Sequence, residues 1–139
     1  MGICEYLRRV PYSLRNNRFM LPQEILTKYN LTPKNIWDRV HGKPSEELFY
    51  CALEIAAHAK KCYEMGVREY EEHRSSFPEH SFRAFLRGVE TEYYLELLED
   101  HNFNLFDPAL NSINPLKLPY RVYKAARSQS FSYNSRTKK

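Results

Sequence analysis

Between Ser45 and His73 apolar residues recur at steps of three and four: Leu48, Ala52, Ile55, Ala59, Cys62, Gly66 and Tyr70. That interval collects them into one stripe of an α-helix. Pro44, Ser45, Glu46 and Glu47 mark its start, because acidic side chains favour the positive end of the helix dipole. The stripe consists mostly of small side chains, which predicts close approach of another helix. A second long helix is predicted over 77–102. Ser76 and Glu79 stand at capping-box spacing, and Phe82, Phe85, Leu86, Val89, Tyr93 and Leu97 supply the apolar face. Joined by a short turn at Arg74–Ser76, the two helices should run antiparallel.

Shorter helices are predicted over 22–29 and 32–40. In the second of these Thr32 suits an N-cap and Pro33 the first helical position, where a missing N–H does no harm. Pro and Asn between Asp107 and Pro115 read as turn, and 116–126 as a last helix. No strand pattern competes with the helical one, and no internal repeat is present. From Ser128 to Lys139 the chain is polar, lacks a hydrophobic period and ends basic, so this tail is expected to be disordered. The domain therefore spans 1–127 and the tail 128–139.

Composition narrows the class. In 139 residues, 42% hydrophobic, there is material for one modest core. Twenty-one Lys and Arg against 17 Asp and Glu leave +4, too small an excess for a surface built to follow nucleic-acid phosphates. Eleven Tyr and eight Phe suit a core or an interface better than base stacking, which would need a basic groove around the rings. Cys4, Cys51 and Cys62 are odd in number and widely spaced, which argues against a disulfide framework or thiolate zinc site and fits a reducing compartment. No apolar run approaches the roughly 20 residues that cross a bilayer. Gly2 and Cys4 suggest acylation, yet the sixth residue is Tyr6 where myristoylation requires Ser or Thr. The arginine-rich first 20 residues have the composition of a mitochondrial transit peptide, but they are better assigned to the fold.

That assignment comes from Leu7 to Pro22, L-R-R-V-P-Y-S-L-R-N-N-R-F-M-L-P. The stretch resembles the second Asp-rich segment of the squalene/phytoene synthase family, approximately L-R-D-x-x-x-D-x-R-x-x-R-x-Y-L-P in active members. Aligned on Leu21 and Pro22, Leu7, Arg8, Arg15 and Arg18 stay in step, Met20 takes the tyrosine position, and the two aspartate positions fall on Arg9 and Ser13. The resemblance extends over about 3–127. Leu7–Tyr12, Phe82–Leu86 and Asn102–Leu110 carry it toward the group of mitochondrial NADH:ubiquinone oxidoreductase (complex I) assembly factors within the family.

The resemblance implies an all-α, isoprenoid-synthase-like fold, of which this chain is the carboxy-terminal half. It also implies a loss. In active members the aspartates hold magnesium against the substrate diphosphate, since hard cations take oxygen ligands; an arginine repels a cation, and Pro11 should kink or end the helix. The expectation is a non-catalytic mitochondrial protein without cofactor or metal. It would act by protein binding on the matrix side of the inner membrane, with peripheral membrane association possible. Its partners would include a chain or segment that completes the helical domain. One alternative is a permanent accessory subunit of a respiratory complex or mitoribosome, and another is an isoprenoid-diphosphate-binding transferase.

The remaining candidate groups are few. Arg8, Arg9, Arg15 and Arg18 could contact an anion or an acidic partner, or be solvated and internally paired. Glu54, His58 and Cys62 have one-turn spacing, but Cys62 falls on the apolar stripe, so a packed cysteine beside a surface histidine is favoured over a metal site. Glu90, Glu92, Glu96, Glu99 and Asp100 read as a solvated face. No nucleophile elbow, P-loop or dinucleotide fingerprint occurs.

Overall fold

The computed structural model describes residues 2–16, 18, 21–32, 34–38, 43–78, 80–110 and 114–131. The expectation of an all-α fold holds. Six α-helices follow in order: α1 (Gly2–Arg15), α2 (Gln23–Lys28), α3 (Glu46–Glu72), α4 (Phe82–Phe85), α5 (Arg87–Asp100) and α6 (Lys117–Ser128). Single 3-10 turns occupy Arg74–Ser76 and Pro108–Leu110. The only pairing of extended backbone among the described residues is a two-residue antiparallel ladder, β1 (Trp37–Asp38) with β2 (Lys43–Pro44).

Helix α3 keeps the predicted limits. The Ser45 hydroxyl caps it by accepting from the Leu48 N–H at 3.3 Å, and His73 closes it. Its buried stripe is Leu48, Cys51, Ala52, Ile55, Ala56, Ala59 and Tyr70. Cys62 and Gly66, expected on that stripe, are exposed. The stripe drifts around the helix over seven turns, and the partner on that side changes from α1 and α5 to the aromatic cluster around Tyr70.

The second long helix is shorter than predicted and broken. Pro78 pushes Phe77 into extended backbone (φ −87°, ψ 145°), so the helix cannot start at Phe77, and regular winding begins at Phe82. Ser76 lies in the preceding 3-10 turn and not at a helix cap, while Glu79 is outside the described residues. Lys60 faces Glu99 whereas Tyr63 lies beside Gly88, so α3 and α5 run antiparallel as predicted.

The helix predicted over 32–40 is absent from its described part. Asn35 Oδ1 accepts from the Thr32 N–H at 2.6 Å, and Asn35 Nδ2 donates to the Asn30 carbonyl at 2.7 Å. One turn does form, the Asn35 and Ile36 N–H groups donating to the Thr32 carbonyl at 3.1 and 3.3 Å, but it is not continued and the chain passes into β1 at Trp37.

Two cores result. The larger joins Leu7 and Val10 of α1, Leu21, Leu31 and Ile36, the first half of α3, and Tyr94, Leu95 and Leu98 of α5, with Leu105 and Leu110 closing one end. The smaller is aromatic. Tyr70 stacks on Phe77 with ring centroids 5.5 Å apart, meets Phe82 at 5.4 Å and meets Phe131 edge-on at 5.8 Å, with Val89 and Ala125 beside them. The start of the expected disordered tail belongs to this core: α6 runs to Ser128, and Phe131 is buried. Gly88 explains how Phe131 fits, because a Cβ there would stand 3.2 Å from the Phe131 ring. Residues 132–139 lie outside the described residues.

Helix α5 ends in two successive left-handed residues, Asn102 and Phe103 (φ 50° and 54°). Asn tolerates this conformation but Phe does not do so readily, so the surroundings must hold it. The Phe103 N–H donates to the Leu98 carbonyl at 2.7 Å, its ring packs edge-on to Phe49, and His101 Nδ1 meets Asp107 at 2.9 Å. The Ala109 N–H and then His101 hold the Asp107 carboxyl below its usual range. A lowered carboxyl contributes stability above about pH 4, where the unfolded chain is already ionised, and loses it as pH falls through the folded value. Asp107→Asn should therefore flatten the acid limb of the stability–pH curve, as read by urea unfolding at stepped pH.

Candidate functional site

The segment between Leu7 and Pro22 forms most of α1, and the helix continues through Pro11 to Arg15. Proline removes one backbone donor, but Leu7, Val10 and Ser13 are buried on either side of it. That burial keeps the helix regular beyond the residue expected to end it.

The arginines have different fates. Arg8 turns inward: its Nη1 lies 3.1 Å from Glu90 Oε1, and its guanidinium sits 4.6 Å from the centroid of the Tyr94 ring. Arg9 turns outward, 66% of its side chain exposed, with Glu5 at 3.8 Å. Arg18 is exposed, and its backbone N–H donates to the Ser13 carbonyl at 2.8 Å. The side chain of Arg15 is outside the described residues. Arg8 and Arg9 both reach the Glu5 carboxylate, at 3.9 and 3.8 Å, so part of their charge is met within α1. Arg9 and Ser13 stand one helical turn apart, the first 66% exposed at its side chain and the second 4% exposed within the fold. A cation beside a buried hydroxyl offers no set of oxygen ligands, so these positions do not fit a magnesium ion.

The acids on α5 are less solvated than their pattern suggested. Glu90 pairs with Arg8, Glu96 Oε2 lies 2.6 Å from Arg121 Nη2, and Glu99 Oε2 lies 3.8 Å from Lys60 Nζ. The reason is the position of α5 between other helices. Val89, Tyr93, Tyr94, Leu95 and Leu98 are buried around much of its circumference, so the acids fall at seams with α1, α3 and α6. Arg121 on α6 is itself buried, and its guanidinium lies 5.0 Å from the Tyr93 centroid. Periodicity marked Val89 and Tyr93 on α5 but missed the buried Tyr94, Leu95 and Leu98, overrated the part-buried Leu97, and gave none of these partners. The repeated signal was an arginine on each flanking helix.

Between α3 and α5 lies a groove of about 310 Å³, with Leu53, Ala56, Leu95 and Phe103 on its floor and Lys60, Glu64, Glu92, Glu96 and Glu99 around it. Its floor is apolar, and none of these side chains is a poised nucleophile. Elsewhere Glu54 accepts from Lys28 Nζ at 2.7 Å and from the Tyr29 hydroxyl, and those two bonds hold its carboxyl low. His58 Nε2 is 3.7 Å from Cys62 Sγ, with the thiol exposed and not packed as expected. Burial raises the Cys4 thiol and pushes Cys51 up to about 11, so both stay protonated at neutral pH. Among the described residues no three His, Cys, Asp or Glu side chains are arranged to hold a metal.

An all-α bundle whose first helix carries arginines and no aspartate is the class defined so far. The model of the squalene/phytoene synthase family matches residues 1–121, and the chain belongs to that family. Its relatives include NADH dehydrogenase (ubiquinone) complex I, assembly factor 6, of Rattus norvegicus, 27% identical over 122 residues, which are 88% of this chain and 34% of the relative. The Homo sapiens protein of the same name is 26% identical over the same shares. The assembly factor 6 homolog of Dictyostelium discoideum is 26% identical over 125 residues, 89% of this chain and 33% of the relative. The chain spans about a third of the length of these curated relatives. No solved structure matches it.

The two arginine pairs differ in burial, and their energies should differ with it. In double-mutant cycles read by chemical denaturation, Arg8→Met with Glu90→Gln should couple by about 0.5–1 kcal/mol. Arg121→Met with Glu96→Gln should couple by about 1.5–3 kcal/mol, because water reaches Arg121 much less.

Proposed function

We propose that this chain is a non-catalytic, assembly-factor-like protein of mitochondria that acts by protein contact during maturation of respiratory complex I. The observation that carries the proposal is the state of Arg9 and Ser13, which hold the family's aspartate positions as an exposed cation and a buried hydroxyl. A prenyl-transfer site needs carboxylates there to hold magnesium on a diphosphate. The relatives named as complex I assembly factors support the same reading.

The proposed contact surface is the outer face of α1. Tyr6, Arg9 and Tyr12 are exposed on it, Tyr12 most of all at 72%. Tyr and Arg are the residue types that dominate binding energy at protein interfaces. Action on the matrix side of the inner membrane is part of the proposal. No helix among the described residues is long and apolar enough to cross a membrane, so attachment there would be peripheral.

The test is replacement of the endogenous protein by tagged wild type or Arg9→Glu/Tyr12→Ala. Complex I and its intermediates would be resolved on native gels. Wild type should co-migrate with partial assemblies and leave the finished complex, while the variant should lower mature complex I several-fold with normal levels of the chain itself. Fixed stoichiometry in the finished complex would favour an accessory subunit, and unchanged complex I after loss of the protein would refute both.

A further inference from the structure

Helix α6 presents two contrasting faces. Arg121 and Ala125 are buried against the bundle. On the opposite side Leu116, Tyr120 and Tyr123 are 80%, 64% and 60% exposed and recur at helical spacing. Arg127 continues that row, its Nη1 donating to the Tyr123 hydroxyl at 3.3 Å, and Lys124 lies beside it, also exposed, while Lys117 sets its Nζ 5.5 Å from the Tyr93 ring centroid on α5. No acid follows Asp107 anywhere in the sequence, whereas Lys117, Arg121, Lys124, Arg127, Arg136, Lys138 and Lys139 do. The chain's net charge of +4 therefore originates in this region, since all 17 acids lie before it.

We propose that the outer face of α6 is an interfacial helix face that docks on an anionic phospholipid surface. The chemistry fits a bilayer's headgroup layer on three counts. Tyrosine rings are apolar with a polar tip and settle where hydrocarbon meets water. Lys124 has a long apolar stem, so its ammonium group can reach phosphates while the stem lies along the surface. Cations without intervening acids meet the negative potential of such a leaflet, which falls off within a Debye length. A single row of tyrosines on a convex helix, accompanied by Lys124 and Arg127, favours a plane of lipid over the cleft of a protein partner. This inference deepens the proposed membrane-side location and rests on it for its biological meaning; the lipid affinity itself stands on α6 alone.

Flotation of the full chain with vesicles separates the outcomes. Wild type should float with phosphatidylcholine vesicles containing cardiolipin and stay behind with phosphatidylcholine alone, and raised salt should weaken the binding. Lys124→Glu/Arg127→Glu should lower the bound fraction about tenfold or more. Tyr120→Ser/Tyr123→Ser should also lower it, with unchanged circular dichroism, since all four side chains are exposed. Equal flotation with both vesicle types, no flotation, or variants that bind like wild type would overturn the proposal. A face variant that releases an acidic protein partner while wild type never floats would overturn it too, and assign the face to protein. In each of these cases the complex I replacement experiment could still succeed, so the two readings fail independently.

Discussion

Helix α5 is held from two sides by the same device. On one flank Arg8 of α1 reaches Glu90 and lies over Tyr94; on the other Arg121 of α6 reaches Glu96 and lies over Tyr93. Each guanidinium satisfies a carboxylate with its edge and covers an aromatic face with its plane, a combination that lysine supplies poorly. The rest of the bundle depends on these two seams. They fix α1 and α6 against the helix whose Val89, Tyr94, Leu95 and Leu98 tie both cores together. Glu90 and Glu96 lie part-exposed at the seams, their side chains 39% and 32% exposed, and the arginines that meet them there set the registry between helices.

Much of the fold was legible because its signals were local. Ser45, Glu46 and Glu47 marked the start of α3, and the three-and-four repeat located its buried stripe as far as Ala59. Signals that compete at short range were misread. Pro78 outweighed the capping-box spacing of Ser76 and Glu79, and the helix start at Thr32 gave only one turn because Trp37 and Asp38 pair with Lys43 and Pro44. Phe131 was placed in the tail because its neighbours are polar, yet a single ring is enough to close a small aromatic core when Gly88 leaves room for it.

The candidate site was only partly legible, for a different physical reason. Sequence identifies Arg8 and Arg9 as adjacent cations but does not say that one is drawn to Glu90, 82 positions away, while the other faces water. The partners that decide a charged side chain's role are long-range, and periodicity carries no information about them. The same limit hid the destinations of Glu96 and Glu99. It also hid the exposure of Cys62, since a stripe read on one helix assumes a single neighbour along its whole length.

These features give α1 two duties. Its inner side, through Leu7, Val10 and Arg8, holds the bundle, and its outer side, with Arg9 and Tyr12 exposed, is the contact surface we propose. The central claim is that a helix which resembles a cation-binding segment works here as a packing and contact element. Isothermal titration of magnesium into the chain, with and without an isoprenoid diphosphate present, tests it most directly. The account predicts no saturable magnesium-dependent binding of the diphosphate. Stoichiometric binding of the diphosphate that requires magnesium would contradict it.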